Sequence, residues 1–124
     1  NTMPGLIINL ESKCAALGAG SGGLSGPALR AVGVHAVHRA RACTTVPLVG
    51  VGGVTGTGDA LQYLLAGASL VQIGTATFAD PRAAQRVVAG IASYGERTGL
   101  ESVTDLIGAY RAEGDAVSAH GGRL

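Results

Sequence analysis

A chain of 124 residues that is 47% hydrophobic and 14% charged suffices for one modest core, which bounds it at one domain or less. Its net charge is +1, its nine basic residues are scattered, and three Tyr and one Phe are its only aromatics, which excludes the basic face and stacking platforms of a nucleic-acid binder. No apolar run reaches the ~20 residues of a membrane span, no signal segment is visible, and two cysteines are too few for a disulfide framework, so free thiols and a cytoplasmic setting are expected.

Asn1 to Gly5 reads as polar and turn-like. Leu6-Ile7-Ile8 is a short apolar piece expected to pair as a hairpin with the region from Ala15 to Leu17. Gly18 to Gly26 (GAGSGGLSG) is the most glycine-dense stretch and is predicted to be a loop. Gly18, Gly20 and Gly23 formally satisfy G-x-G-x-x-G, but no convincing strand precedes them and no helix opens at Gly23, which speaks against a dinucleotide site. Pro27 to Ala42 is predicted to be a helix, capped by Ser25 or Gly26 with Pro27 in its first turn, burying Leu29, Val32, Ala36, Val37 and Ala40. His35 and His38 stand three apart on it without an acidic or sulfur partner nearby, and Cys14 and Cys43 lack zinc-site spacing, so no metal site is expected.

Pro47 to Thr75 (PLVGVGGVTGTGDALQYLLAGASLVQIGT) reads as strand, helix, strand. Leu48 to Val51 and Leu70 to Ile73 are uncharged and β-rich, as in strands buried on both faces of a parallel sheet. Between them Asp59 to Ala66 carries Leu61, Leu64 and Leu65 at helical spacing, with Thr57 as N-cap and Gly67 as stop. Gly52-Gly53 and Gly74-Thr75 then fall at the C-terminal ends of successive strands, where a backbone without Cβ atoms can approach an anion such as a phosphate. Asp80-Pro81 marks another helix start, with Ala84, Val87, Val88, Ile91 and Ala92 as its apolar stripe and Gly99 at its end. Ser102 to Ile107 is expected to form a short packed helix, and residues 112–124, with His120, a flexible tail without a role.

Helix and strand alternate with short connections, which predicts an α/β fold with a parallel sheet. Glycine cradles after late strands match the phosphate site of a (β/α)₈ barrel, and a whole barrel needs ~250 residues. The expectation is the C-terminal half of such a TIM barrel over residues 1–111, the later part of a longer chain.

Four motifs in order, Asn1-Thr2, Gly22-Gly23-Leu24-Ser25-Gly26-Pro27, Gly50-Val51-Gly52-Gly53-Val54 and Gly74-Thr75-Ala76, resemble the flavin-dependent dihydroorotate dehydrogenases of pyrimidine biosynthesis. The spacing also fits, at 25 residues from Asn1 to Gly26, 26 to Gly52 and 22 to Gly74, and the similarity runs to about Gly108. The resemblance implies that Gly26, Gly52, Gly53, Gly74 and Thr75 bind FMN, the last four around its phosphate, and that Asn1 and Thr2 hydrogen-bond dihydroorotate or orotate. It also implies a cysteine base on a loop well upstream of Asn1-Thr2, so Cys14, on the other side of that motif, is not the base. This segment thus contributes no catalytic residue, and the family's flavin- and substrate-contacting lysines are absent from it.

Phe78-Ala79-Asp80-Pro81 after Gly74-Thr75 resembles the cytosolic class, and Asn1-Thr2-Met3-Pro4-Gly5-Leu6 its NAD-linked branch. That branch implies a homodimer that also pairs with an electron-transfer subunit carrying FAD and an iron–sulfur cluster. Two other readings stay open: another FMN- or phosphate-binding barrel enzyme, and an inactive fragment acting only as an interaction module.

Overall fold

The computed structural model describes residues 1–112, so the tail expected from residue 112 lies, apart from Ala112 itself, outside the described residues. The chain opens as an antiparallel pair, β1 (Met3–Gly5) with β2 (Gly22–Leu24), in which Met3 faces Leu24 and Gly5 faces Gly22. Ile8 and Ala15 form an antiparallel bridge, and Ala16 N–H donates to the Ile7 carbonyl at 2.8 Å, so the expected hairpin is present. Its turn is held by Asn9, whose Oδ1 accepts from the N–H groups of Glu11 and Ser12 at 3.0 and 2.9 Å. The readings of Asn1 to Gly5 as a turn and of all of Gly18 to Gly26 as a loop are corrected, since both contribute a strand. Glycine has little β-propensity, but a ladder needs only backbone groups, and side-chain-free Gly23 leaves room for Thr2, whose hydroxyl would lie 2.6 Å from a Cβ there.

Helix α1 (Leu29–Arg41) starts two residues later than expected and is capped by neither Ser25 nor Gly26 side-chain chemistry; its N-cap is Ala28. A turn built by Leu29 N–H on Gly26 O (3.0 Å) and Arg30 N–H on Pro27 O (3.1 Å) leads into it. Its packed side is also rotated from expectation: Leu29 is buried, Gly33, Val34, Val37 and Ala40 are half-buried, and Val32 and Ala36 are exposed. The cause is Gly33, which lets the helix close onto an aromatic side chain from the next helix.

Strand β3 (Val49–Val51), helix α2 (Thr57–Ala66) and strand β4 (Leu70–Gln72) form the expected unit, with β3 and β4 parallel and Val51 opposite Gln72. Helix α2 is capped by Gly56 rather than Thr57, and stops at Gly67, whose φ of 114° is left-handed. The core gathers Val54, Ala60, Tyr63, Ala68 and Val87, with Val34, Val37, Val71, Ile73 and Ile91 packed against it. Tyr63 is fully buried, while Leu61, one of the leucines at helical spacing, is only half-buried. The strands are not buried on both faces as expected, because helices cover one face and leave Val49 51% and Leu70 64% exposed on the other.

A single turn, α3 (Ala76–Ala79), precedes α4 (Ala83–Thr98), which begins after Asp80-Pro81 rather than at it. Asp80 still marks the start: its Oδ1 accepts from Arg82 N–H at 3.0 Å, and its carboxylate pairs with Arg86. Ala83 and Val87 are buried, and left-handed Gly99 ends the helix as expected. A 3₁₀ turn (Val103–Leu106) buries Leu106, and beyond it Gly108 N–H and Tyr110 N–H close onto the Leu64 and Leu65 carbonyls at the end of α2.

Candidate functional site

At the C-terminal ends of β3 and β4 a cavity of about 280 Å³ is lined by Asn1, Thr2, Gly26, Gly52, Gly53, Gly74 and Thr75, the seven residues singled out from the sequence. Gly52 follows directly on β3, and Gly74 stands two residues beyond β4, so pairing of the strands puts both glycine segments at one end of the sheet. The Asn1 backbone nitrogen donates to Val51 O at 2.8 Å and ties the Asn-Thr pair to the end of β3.

The glycines are there for different reasons. Gly52 (φ 119°) and Gly53 (φ 69°) are left-handed, and a Cβ on them would lie 2.9 Å from Asn1 O and 2.5 Å from Arg30 N, so the fold itself demands glycine at both. A Cβ at Gly74 would meet nothing within 4 Å, and its φ is not left-handed. Packing therefore does not account for Gly74. Thr77 and Phe78 N–H groups are used on Gly74 O and Thr75 O at 2.9 and 3.2 Å, while those of Thr75 and Ala76, at the opening of α3, have no carbonyl on their own turn.

Helix α2 supports the floor of the cavity. The buried Asp59 carboxylate accepts from Arg30 Nη1 (2.5 Å), Thr55 N–H (2.8 Å), Thr55 Oγ1 (2.7 Å) and the N-cap Gly56 N–H (3.1 Å). Burial pushes this carboxyl up, but the Thr55, Arg30 and Gly56 hydrogen bonds outweigh it and hold the pKa down at about 2, so Asp59 is ionised at neutral pH. One turn on, Tyr63 Oη donates to Gly52 O at 2.7 Å and lies 3.2 Å from Val51 O. Burial, and then the Asp59 charge, raise its pKa, keeping the phenol a donor.

Polar residues that sequence reasoning passed over also line the cavity: Ser25, Thr55 and Gln72. Ser25 lies inside the GGLSGP motif and was legible there; Gln72 was signalled only by alternation along β4, which sets it two residues beyond Leu70 on the same exposed face, at the end nearer the cavity. None of the described residues lining the cavity carries an ionisable side chain. Cys14 sits in the hairpin turn, and His35 and His38 lie in a separate groove beside Gln62 and Tyr110, with the His38 and Tyr110 rings edge to face at 5.3 Å. Among the described residues there is no group of three or more His, Cys, Asp or Glu placed to hold a metal, and no helix is long and apolar enough to cross a membrane.

Helix-linked parallel strands with a backbone-built pocket at their C-terminal ends define a parallel α/β protein whose pocket lies where such sheets take ligands. Known proteins give the particular family. Residues 1–94 match the family described as dihydroorotate dehydrogenase. The chain is 43% identical over 111 residues to the catalytic subunit of dihydroorotate dehydrogenase B (NAD(+)) of Geotalea daltonii, covering 90% of this chain and 36% of that protein. The corresponding subunit of Pelobacter propionicus is 44% identical over 109 residues, covering 88% and 36%. The crystal structure of Eimeria tenella DHODH in complex with ferulenol superposes with a TM-score of 0.70 at 30% identity, covering 88% of this chain and 29% of that one. The chain belongs to the dihydroorotate dehydrogenase family, and it spans about a third of the length of these relatives.

Proposed function

We propose that this chain is the part of a dihydroorotate dehydrogenase that holds the phosphate of FMN and one side of the pyrimidine, within the C-terminal half of a (β/α)₈ barrel. The observation that carries the reading is the convergence of Gly26, Gly52, Gly53, Gly74 and Thr75 with Asn1 and Thr2 on one cavity. The residues fit a phosphate: Gly74 leaves space no side chain of the fold fills, and the Thr75 and Ala76 N–H groups beside it have no carbonyl partner on their own turn. In this reading Gly26, Gly52, Gly53, Gly74 and Thr75 hold the cofactor, while the Asn1 amide and Thr2 hydroxyl fix the planar carboxylated ring.

When bound, FMN supplies the acceptor for the hydride that leaves C6 of dihydroorotate as orotate forms. The chain's own share is to bind and orient, since no side chain among the described lining residues titrates near neutral pH and the proton at C5 must pass to a base from outside this segment. The relatives' names as catalytic subunits of an NAD(+)-linked enzyme support an association with a separate electron-transfer subunit. The finer assembly in this reading is a cytoplasmic homodimer with a partner that carries FAD and an iron–sulfur cluster and uses NAD.

The test is a chimera in which this chain replaces the matching segment of the Geotalea daltonii catalytic subunit, titrated with FMN and with riboflavin, which lacks the phosphate. FMN should bind at least about tenfold tighter, the worth of one charge-assisted hydrogen bond. Equal affinities would refute a phosphate cradle.

A further inference from the structure

We infer that Tyr63 is a positioning residue for cofactor binding: from beneath the sheet its hydroxyl sets the orientation of the Gly52–Gly53 peptide, and thereby aims the Gly53 N–H at the cavity. The inference rests on the phosphate reading of the site and adds the residue that organises it.

The C=O and N–H of one peptide unit point in opposite directions. Tyr63 Oη donates to Gly52 O at 2.7 Å from the buried side, so the N–H of the same unit, which belongs to Gly53, faces away from Tyr63. Gly52 and Gly53 line the cavity and Tyr63 does not, so the side of this peptide turned from the phenol is the side a ligand can reach. This peptide joins two left-handed glycines, the pair of residues with the most conformational freedom to turn it over, so an external hold on it has something to do.

The surroundings are cut to admit the phenol. A Cβ at Gly33 in the middle of α1 would lie 1.9 Å from the Tyr63 hydroxyl oxygen, and one at Gly50 in β3 would lie 2.4 Å from its ring. Glycine within a helix and within a strand each weakens its element, by about 0.5–1 kcal/mol relative to alanine in the helix case. Gly50 makes room for the ring, and Gly33 for the hydroxyl that the ring carries to the loop. Asp59 on the preceding turn of the same helix holds Thr55 and Gly56, so α2 grips the Gly52 to Gly56 segment at both ends.

The experiment is Tyr63→Phe in the same chimera, which keeps the ring and removes the hydroxyl, read as the ratio of riboflavin to FMN dissociation constants. A loss of folded protein weakens both ligands by the same factor and cancels from the ratio. The ratio should fall about fivefold to tenfold, through FMN alone. A wild-type ratio near one would refute the phosphate reading itself. A clear wild-type preference that Tyr63→Phe leaves unchanged would overturn the role of Tyr63 while leaving that reading intact, and a Tyr63→Phe chain that does not fold would equally overturn it, by assigning the hydroxyl to the core.

Discussion

Four donors converge on the Asp59 carboxylate, from Arg30, twice from Thr55 and from Gly56, and they join the start of α1, the loop after β3 and the start of α2. Because its folded pKa of about 2 lies below the ordinary 3.8, this group stabilises the fold fully above pH 4, and its contribution fades as pH falls through 2. The shift corresponds to about 2 kcal/mol, for a side chain only 10% exposed. Urea unfolding followed between pH 7 and pH 2 should show that loss in the wild type. Asp59→Ala should cost about 3 kcal/mol at pH 7, leaving Arg30 and two N–H groups unpaired, and its stability should change less between pH 4 and pH 2. Gly74→Val should fold, since a Cβ there meets nothing within 4 Å and φ is not left-handed, yet retain less FMN after purification in the chimera. Unchanged flavin occupancy would contradict the role given to Gly74. The glycine pairs were legible as single residues because a glycine after an apolar run has few other uses. Asp59 was not, since a helix-starting aspartate reads as a cap and its bond to Arg30 spans 29 positions.

At the scale of elements, the sequence exposed helix ends better than helix faces. Gly67 and Gly99 stop α2 and α4 where expected because each takes a left-handed φ that other residues avoid. Gly67→Ala should therefore destabilise the chain by about 1–2 kcal/mol in thermal or urea unfolding, as φ is 114° and a Cβ would press on the Arg41 side chain. The inward faces of α1 and α2 were misjudged because counting large apolar residues favours Val32 and Leu61, whereas the real contact is a tyrosine against a glycine, Tyr63 on Gly33. The β1–β2 pair was invisible for a related reason: a ladder through Gly22 and Gly23 leaves no side-chain periodicity to read.

For the whole molecule, the parallel α/β order was legible from alternation and spacing, and the family from four motifs, while the burial of β3 and β4 was not, since it depends on what packs against a strand and not on the strand alone. With Val49 and Leu70 uncovered, the isolated 124-residue chain should self-associate in sedimentation, and the remaining part of a relative's catalytic subunit should suppress this when added. A general base contributes on the order of 10²- to 10⁴-fold, and misplacing the reactants by about 1 Å can remove a further ~100-fold; none of the described residues lining the cavity is such a base. The most direct measurement is orotate formation from dihydroorotate, with FMN and an artificial electron acceptor, by the isolated chain and by the chimera with the Geotalea daltonii subunit. Turnover and substrate-dependent flavin bleaching are expected in the chimera and none from the chain alone; an inactive, flavin-free chimera, or an isolated chain as fast as the chimera, would refute a flavin site that needs its base from elsewhere.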